Sequence, residues 1–199
     1  MQLTTVEAQA IVEERVVYFE RGGPQNTQAT LRLARERAEQ LGIEHVVLPT
    51  NTGQTAVEAA EVFAGSRVKL IAVTLHAGRW AVYTPPHPEK LSAARDAGVQ
   101  IITATHALMG NVERAIRDRF GGLPPVELIS YVLYLFSQGT KVAVEVAVMA
   151  ADAGAIPVDR EVIAMGGTGR GVDTALVLKP SFSSTFFDLK VREILCKPR

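Results

Sequence analysis

The sequence predicts an α/β protein, in which helices cover both faces of a mostly parallel sheet. Short apolar runs alternate with helical patterns along the 199 residues, and such alternation is typical of parallel sheets with crossover helices. Each of the first five predicted strands is also followed by polar or glycine-rich residues. The carboxyl ends of parallel strands meet at one edge of a sheet, where ligands bind.

The first half of the chain predicts four strands separated by three helices. The first helix follows from Leu31, Ala34 and Ala38, which recur at helical spacing, and Gly42 is a natural helix stop. The strands are predicted over 15–20, 43–49, 69–78 and 99–108, and the helices over 26–42, 54–64 and 88–98.

The second half predicts three helices over 111–119, 124–136 and 139–153, followed by strands over 160–165 and 173–180. Only the glycine-rich segment GGTGRGV joins these two strands. It is too short for a crossover helix, so the pair is predicted to be antiparallel. The tail 186–198 fits both strand and helix spacing. The chain is predicted to be one domain, with a helix over residues 1–14 and an extension over 181–199.

Composition narrows the class of protein. The 21 basic residues balance the 21 acidic ones, which argues against a nucleic-acid-binding face. The single cysteine, Cys196, fits a reducing compartment. The start of the sequence lacks the pattern of a signal peptide, and the most apolar stretch, 126–136, is shorter than the roughly 18 residues of a membrane span. We therefore expect a soluble cytoplasmic protein without nucleic-acid or membrane partners.

Candidate site residues collect after the predicted strands. His76, His106 and Glu20 are candidates for acid–base chemistry, whereas no histidine spacing predicts a metal site. The whole set comprises Glu20, Asn26 and Thr27 after the first strand; Thr50, Asn51, Thr52, Gly53, Gln54 and Thr55 after the second; Thr74 and His76 after the third; Thr103, Thr105 and His106 after the fourth; and Gly166, Gly167, Thr168, Gly169, Arg170 and Gly171 after the fifth.

The segment NTGQTA, residues 51–56, has the parts of an anion site. A helix N-terminus offers unpaired N–H groups and a partial positive charge. Gly53 would allow close approach of a ligand to the backbone, and the neighbouring threonines supply hydroxyl donors. The alternative is an ordinary helix cap, because threonine and asparagine are common capping residues.

The segment GGTGRG, residues 166–171, also has two interpretations. Its glycines fit the tight geometry of a hairpin loop. They also fit a loop whose Arg170 reaches a phosphate. The segment is not a dinucleotide fingerprint, because the GxGxxG spacing fails at Val172 and a strand follows instead of a helix.

Two longer segments carry a family resemblance. LPTNTGQTAVEAAEVFAGSRVKLIAVT resembles the allosteric-site loop, helix and next strand of the C-terminal domain of pyruvate kinase, and REVIAMGGTGRGVDTALVLKP resembles its final hairpin. The similarity covers roughly residues 25–180, and the whole chain resembles the stand-alone pyruvate kinase C-terminal-domain-like proteins. The resemblance implies a three-layer α/β/α fold with strand order 3-2-1-4-5 and an antiparallel edge strand.

The resemblance also implies a function. The loop Thr50–Thr55 would hold a phosphate, with Gly166–Gly171 as a lid. Gln54 replaces a residue that is often basic in the kinases, which favours a monophosphate, and flavin mononucleotide is a candidate. Because the catalytic barrel is missing from these residues, no pyruvate kinase activity is expected. The alternatives are an enzyme acting through Glu20, His76 or His106, and a regulatory or assembly module that forms a homo-oligomer through the apolar stretch 126–136.

Overall fold

A computed structural model describes residues 11–80 and 82–199 of the chain. The predicted helix over residues 1–14 falls mainly outside these ranges, and residues 11–16 lead into the first strand without regular structure. The predicted α/β/α fold is confirmed, because one sheet of seven strands lies between two layers of helices, each with its own apolar core.

The sheet is mostly parallel. Its strands are β1 (Val17–Phe19), β2 (His45–Pro49), β3 (Lys69–Thr74), β4 (Gln100–Thr103), β5 (Val162–Gly166), β6 (Thr174–Lys179) and β7 (Lys190–Pro198), in the spatial order β1-β7-β6-β5-β2-β3-β4. Strand β6 is antiparallel to both of its neighbours, β5 and β7, and the other neighbouring strands are parallel. The antiparallel pairing predicted for the last hairpin is therefore confirmed.

The order 3-2-1-4-5 appears in β4-β3-β2-β5-β6 when the strands are counted from β2. The tail extends this sheet, since β7 covers the open edge of β6 and β1 pairs with β7 at the outer edge. Uncovered strand edges expose unpaired backbone groups. The tail is thus a strand, and it follows a 3-10 helix, Ser183–Asp188.

The helices divide between the two faces of the sheet. They are α1 (Thr27–Leu41), α2 (Gln54–Val62), α3 (Ala77–Trp80), α4 (Pro88–Asp96), α5 (Val112–Phe120), α6 (Pro125–Tyr134) and α7 (Gln138–Asp152). Buried residues of α1, α2 and α4 share one core, including Ala34, Ala59 and Ala94. Buried residues of α7, such as Val144 and Ala147, fill the core on the opposite face. Helix α1 ends at the predicted position, where Gly42 has a φ of 66°.

Strands β3 and β4 are shorter than their predicted ranges of 69–78 and 99–108. They end at Thr74 and Thr103, and the chain turns into α3 only three residues after β3. The residues beyond these ends include His76 and His106. Both histidines therefore lie on loops at the carboxyl edge of the sheet. Their side chains do not have to point alternately to the two faces of the sheet, as strand residues do.

Candidate functional site

The carboxyl ends of β2 and β5 define the point at which the sheet reverses its strand order. From β2 the chain proceeds outward through β3 to β4, and it then returns to β5 on the other side of β2. Ligands of open α/β sheets bind at such a switch point. Because β1 to β5 all run parallel, the prediction that their polar ends share one edge agrees with the topology.

The loop after β2 leads directly into the N-terminus of α2. Gly53 is the N-cap residue, with a φ of 95°. The N–H of Gln54 donates to Oγ1 of Thr52 over 3.4 Å, so this threonine makes one long capping contact. Gly53 itself has no side chain to cap the N–H groups that follow. Free N–H groups at a helix N-terminus are an arrangement that binds anions.

Thr50 adds a buried hydroxyl to this loop. Its backbone N–H donates to the carbonyl of Val73 over 2.8 Å, and the residue is only 2% exposed. Among the described residues, its Oγ1 has no hydrogen-bond partner. Buried polar atoms are nearly always paired, so this hydroxyl is available to a ligand or to water.

Gly53 has a packing role that the sequence does not predict. A Cβ at this position would lie 2.9 Å from the backbone nitrogen of Leu91 and 2.9 Å from the Cβ of Lys90. The N–H of His87 also donates to the carbonyl of Thr52 over 3.1 Å. The glycine therefore lets the start of α4 pack against the loop, and its part in ligand approach stays a prediction.

Gln54 and Thr55 point to different environments. The side-chain amide of Gln54 donates to Glu58 over 2.8 Å at the exposed surface of α2. Thr55 is 8% exposed, whereas Asn51 and Thr52 are half-buried. Gln54 is thus engaged at the surface of α2, whereas Thr50 and Thr55 are buried in the loop.

The loop 166–171 forms a compact hairpin connection. The N–H of Asp173 donates to the carbonyl of Gly166 over 2.9 Å, and that of Arg170 donates to Thr168 over 3.0 Å. A Cβ at Gly166 would collide with the carbonyl oxygen of Gly139 in α7. These contacts give the glycines a structural role. Arg170 is exposed at the tip, and closure over a ligand stays a prediction.

Asp173 fastens this hairpin, and sequence reasoning missed it. Its carboxylate is fully buried and accepts the N–H of Gly23 over 2.8 Å and that of Thr168 over 3.1 Å. It also accepts the hydroxyl of Thr174 over 3.0 Å. One signal was available: an aspartate directly before the apolar run TALVL at the start of a strand is unusual unless its carboxylate is bonded.

The candidates after β1 lie away from the switch point. Four inter-strand spacings separate β1 from β2, which corresponds to roughly 19 Å. Asn26 donates to the carbonyl of Arg21 over 2.7 Å, and the buried hydroxyl of Thr27 accepts the N–H of Val172 over 3.2 Å. Both therefore hold the loops together. Glu20 is exposed after β1, at the opposite side of the sheet from β3 and β4, which the histidines follow.

The two histidines do come together. The ring centroids of His76 and His106 are 5.4 Å apart, and the rings are nearly perpendicular. Beneath them the hydroxyls of Thr74 and Thr103 are 2.7 Å apart, whereas Thr105 is exposed. Among the described residues, the buried Nε2 of His76 has no hydrogen-bond partner. This polar cluster lies at the ends of β3 and β4, beside the loop that follows β2.

Burial lowers the pKa of His106 below its ordinary value of 6.5. The positive charges of Lys141 and Arg79 act in the same direction, and the negative charge of Glu145 opposes them. The imidazole is therefore neutral at pH 7 and can accept a proton, as a general base must.

A buried ion pair supports the loop that carries His106. Lys141 and Glu145, each 4% exposed, are joined by a 2.5 Å contact between Nζ and Oε2. The other carboxylate oxygen accepts the N–H groups of Leu108 and Met109, each over 3.0 Å. The sequence shows the i, i+4 spacing of this pair within an apolar helix, but it does not show the burial.

The described part of the chain offers no cluster of metal ligands, no membrane-spanning helix and no reactive thiol. Residues 11–80 and 82–199 contain no group of three or more histidine, cysteine or acidic side chains suited to a metal ion. In the same ranges no helix has the length and apolarity to cross a bilayer. Burial raises the pKa of the Cys196 thiol to about 11, so this cysteine is a poor nucleophile.

Two surface depressions lie away from the carboxyl edge. One is bounded by charged side chains of α1 and by Val62, and the other lies at the amino ends of β2 to β4, around His45 and Arg160. Both are open to solvent. We place the candidate site at the carboxyl edge instead, because the N-terminus of α2, the buried Thr50 hydroxyl and the histidine pair all follow neighbouring strand ends there.

These features define a doubly wound α/β/α domain with a candidate anion site at its switch point. The chain belongs to the pyruvate kinase alpha/beta domain family, whose profile matches residues 28–178. Among solved structures, it is similar to a pyruvate kinase of Cryptosporidium parvum, with 15% identity, 78% of this chain and 23% of that chain covered, and a TM-score of 0.40. The same organism's pyruvate kinase in complex with ADP matches at 15% identity and a TM-score of 0.37, with 85% and 23% of the two chains covered. This chain thus spans about a quarter of the length of these two enzymes.

Proposed function

We propose that this chain binds a phosphorylated small molecule or mononucleotide at Thr50–Thr55 and has no pyruvate kinase activity of its own. The observation that carries the proposal is the N-terminus of α2 at the switch point, where the N-cap residue is Gly53, together with the buried hydroxyl of Thr50, which has no partner among the described residues. A phosphate would accept hydrogen bonds from the helix N–H groups and from Thr50. The single buried cysteine supports a cytoplasmic location.

The ligand is expected to carry one phosphate and a polar or planar group. Gln54 offers no positive charge, and its amide is already bonded to Glu58. The histidine pair and the Thr74–Thr103 contact lie next to the loop on the adjacent strand ends. Flavin mononucleotide has one phosphate for the loop and a planar ring for the adjacent strand ends. In the bound state Arg170 and the loop Gly166–Gly171 would close over it as a lid.

Replacement of Thr50 by valine is expected to weaken ligand binding without destabilising the free protein. Valine keeps the shape of threonine and removes a hydroxyl that has no partner among the described residues. Loss of one hydrogen bond to a charged group corresponds to about 1.5–3 kcal/mol, or roughly 10- to 150-fold in affinity. Calorimetry with inorganic phosphate and with flavin mononucleotide measures this change.

The matched control is Thr30→Val. Thr30 is also fully buried, but it faces Cys196 from α1, with 3.7 Å between its Oγ1 and the sulfur. This variant should bind both compounds like the wild type. Equal affinities for the wild type and Thr50→Val would refute the phosphate site. Mass spectrometry and the visible absorption spectrum of the purified protein would identify a retained ligand.

Catalysis on the bound ligand is the second candidate function. The contact between His76 and His106 favours it, because the half-buried imidazole of His106, whose pKa is lowered by burial, meets the ring that follows β3, the strand next to β2. The same geometry favours the histidines over Glu20, which is exposed beyond the distant strand β1. His106 would accept a proton from the ligand, and the unpaired Nε2 of His76 would bind a neighbouring polar group.

In NMR titrations, His106 is expected to have a pKa below 6.5, the ordinary value for histidine. The folded protein then binds this proton less tightly than the unfolded chain does. His106 therefore lowers stability as the pH falls below about 6.5, and it has no effect above that value. If the titrations of His76 and His106 both stay unchanged on saturation with flavin mononucleotide, neither ring contacts that ligand.

A further inference from the structure

Helix α6 exposes apolar side chains on its outer side. Leu128 and Val132 are 50% exposed and Leu135 just beyond the helix is 84% exposed, although Val126, Ile129 and Leu133 already pack against the core. A surface helix normally has one apolar stripe, which it turns toward the core, and a polar face toward solvent. The buried polar residues are satisfied, because Glu127 pairs with Arg117 and the Ser130 hydroxyl donates to the carbonyl of Leu108. The outer apolar side chains are therefore additional to those that the core buries.

Helix α5 adds a second exposed apolar stripe. Val112, Ile116 and Phe120 recur every four residues and are 73%, 50% and 75% exposed. Two polar contacts join α5 to α6, from Arg117 to Glu127 and from the N–H of Val126 to Glu113. The two stripes thus lie on neighbouring helices. We call them together the α5–α6 face, which comprises Val112, Ile116, Phe120, Leu128, Val132 and Leu135.

The size of this face matches a protein–protein interface. Leu123, Tyr131 and Phe136 adjoin it and are 57%, 50% and 53% exposed. With these neighbours the face exposes on the order of 1,000 Å² of large apolar side chains, given about 150–250 Å² for each complete side chain. The largest apolar patch of a typical monomer is about 300–600 Å². A standard interface covers about 800 Å² on each partner.

The charges around the face favour a second copy of the same chain as the partner. Arg117 is held by Asp118 and Glu127, and Arg114 is held by Asp118. Arg119 lies over the ring of Phe120, 5.6 Å from its centroid. Because the other charges are compensated within the chain, the face does not require a strongly charged partner. An apolar surface of equal size with few free charges fits it best, and a second α5–α6 face has these properties. Contact between two identical faces produces a closed two-fold dimer.

We propose that the chain forms a two-fold symmetric homodimer through the α5–α6 face. This proposal is independent of the ligand site, since the face lies on α5 and α6 and not on the loop Thr50–Thr55. Helix α6 packs on α7, which borders the candidate site.

Light scattering coupled to size-exclusion chromatography tests the dimer on the complete chain. At micromolar concentration the wild type should have about twice the 21.5 kDa mass of one chain. Val132→Glu and Leu135→Glu, made separately, should each give a monomer with an unchanged circular dichroism spectrum, because both side chains are exposed. The dissociation constant should rise at least about 100-fold, since each change places a desolvated carboxylate in the interface.

Phe187→Glu is the matched control. Phe187 is 82% exposed on the 3-10 helix Ser183–Asp188, outside the α5–α6 face, so this variant should remain dimeric. A wild-type protein that is monomeric at about 100 µM would overturn the proposal, whether or not it binds lipid vesicles or another protein. Dimers that persist in both Val132→Glu and Leu135→Glu would assign the interface to another surface and would also overturn it.

Discussion

Replacing Asp173 with alanine is expected to lower the free energy of unfolding by about 3–5 kcal/mol. The side chain is fully buried, and its carboxylate accepts the N–H groups of Gly23 and Thr168. Alanine would leave both donors without an acceptor, at about 1–3 kcal/mol for each. It would also remove one of the two partners of the Thr174 hydroxyl, which lies 3.2 Å from Oγ of Ser137 as well. Because these bonds connect segments 150 residues apart, their loss affects the whole domain.

Urea denaturation of the variant and the wild type measures this change, and Asp152→Ala is the matched control. Asp152 also accepts a backbone N–H, that of Ser183 over 2.9 Å, but at an exposed site. The control should lose less than about 1 kcal/mol, because water replaces the lost bond. A loss of the same size in both variants would show that burial does not strengthen the Asp173 contacts.

The sequence predicted the fold well where short-range patterns determine it. Helix α1 follows from the spacing of Leu31, Ala34 and Ala38, and it ends at Gly42, whose φ of 66° favours glycine. The antiparallel hairpin of β5 and β6 follows from a connection too short for a helix. These features depend only on residues close in sequence.

Long-range pairing was beyond the sequence patterns. The position of β1 at the outer edge depends on β7, which pairs with it through Cys196, Lys197 and Pro198 from the opposite end of the chain. The tail has an ambiguous apolar period, and it becomes a strand because β6 offers a free edge. Neither fact can be deduced from local spacing.

The sequence predicted which strand ends meet at one edge of the sheet, but it did not predict the contacts around them. The polar strand ends located Thr50, His76 and His106 at the same edge of the sheet, because parallel strands bring their ends together. Gly53 was assigned to ligand approach, but the contact that requires a glycine comes from Lys90 and Leu91. Such a contact depends on how α4 packs, which no motif in the loop reveals.

The burial of two charged residues on α7 also could not be predicted from sequence spacing. Lys141 and Glu145 stand four residues apart, a spacing that also occurs in exposed helical ion pairs. Their burial follows from the position of α7 between the sheet and α6, which is a tertiary property. The histidine loop therefore has a support that the sequence did not identify.

Glu145→Leu is expected to destabilise the protein more than Lys141→Leu does, although both variants break the same ion pair. Removal of one partner of a buried pair costs about 3–5 kcal/mol. Without Glu145, the Lys141 ammonium is buried without a carboxylate, and the N–H groups of Leu108 and Met109 lose their acceptor. Without Lys141, the Glu145 carboxylate keeps both N–H donors. We therefore expect Glu145→Leu at the upper end of this range and Lys141→Leu at the lower end.

The double variant Lys141→Leu/Glu145→Leu is expected to be more stable than Glu145→Leu alone. It removes the unpaired ammonium, so that only the two N–H groups of the loop remain unsatisfied. Chemical denaturation of the four proteins gives the coupling energy directly. The titration of His106 in Lys141→Leu adds a second measurement, because loss of the lysine charge should raise the pKa of this histidine toward 6.5. If the two single losses are equal and simply add in the double variant, the pair does not act as a unit and the loop of His106 is held by other contacts.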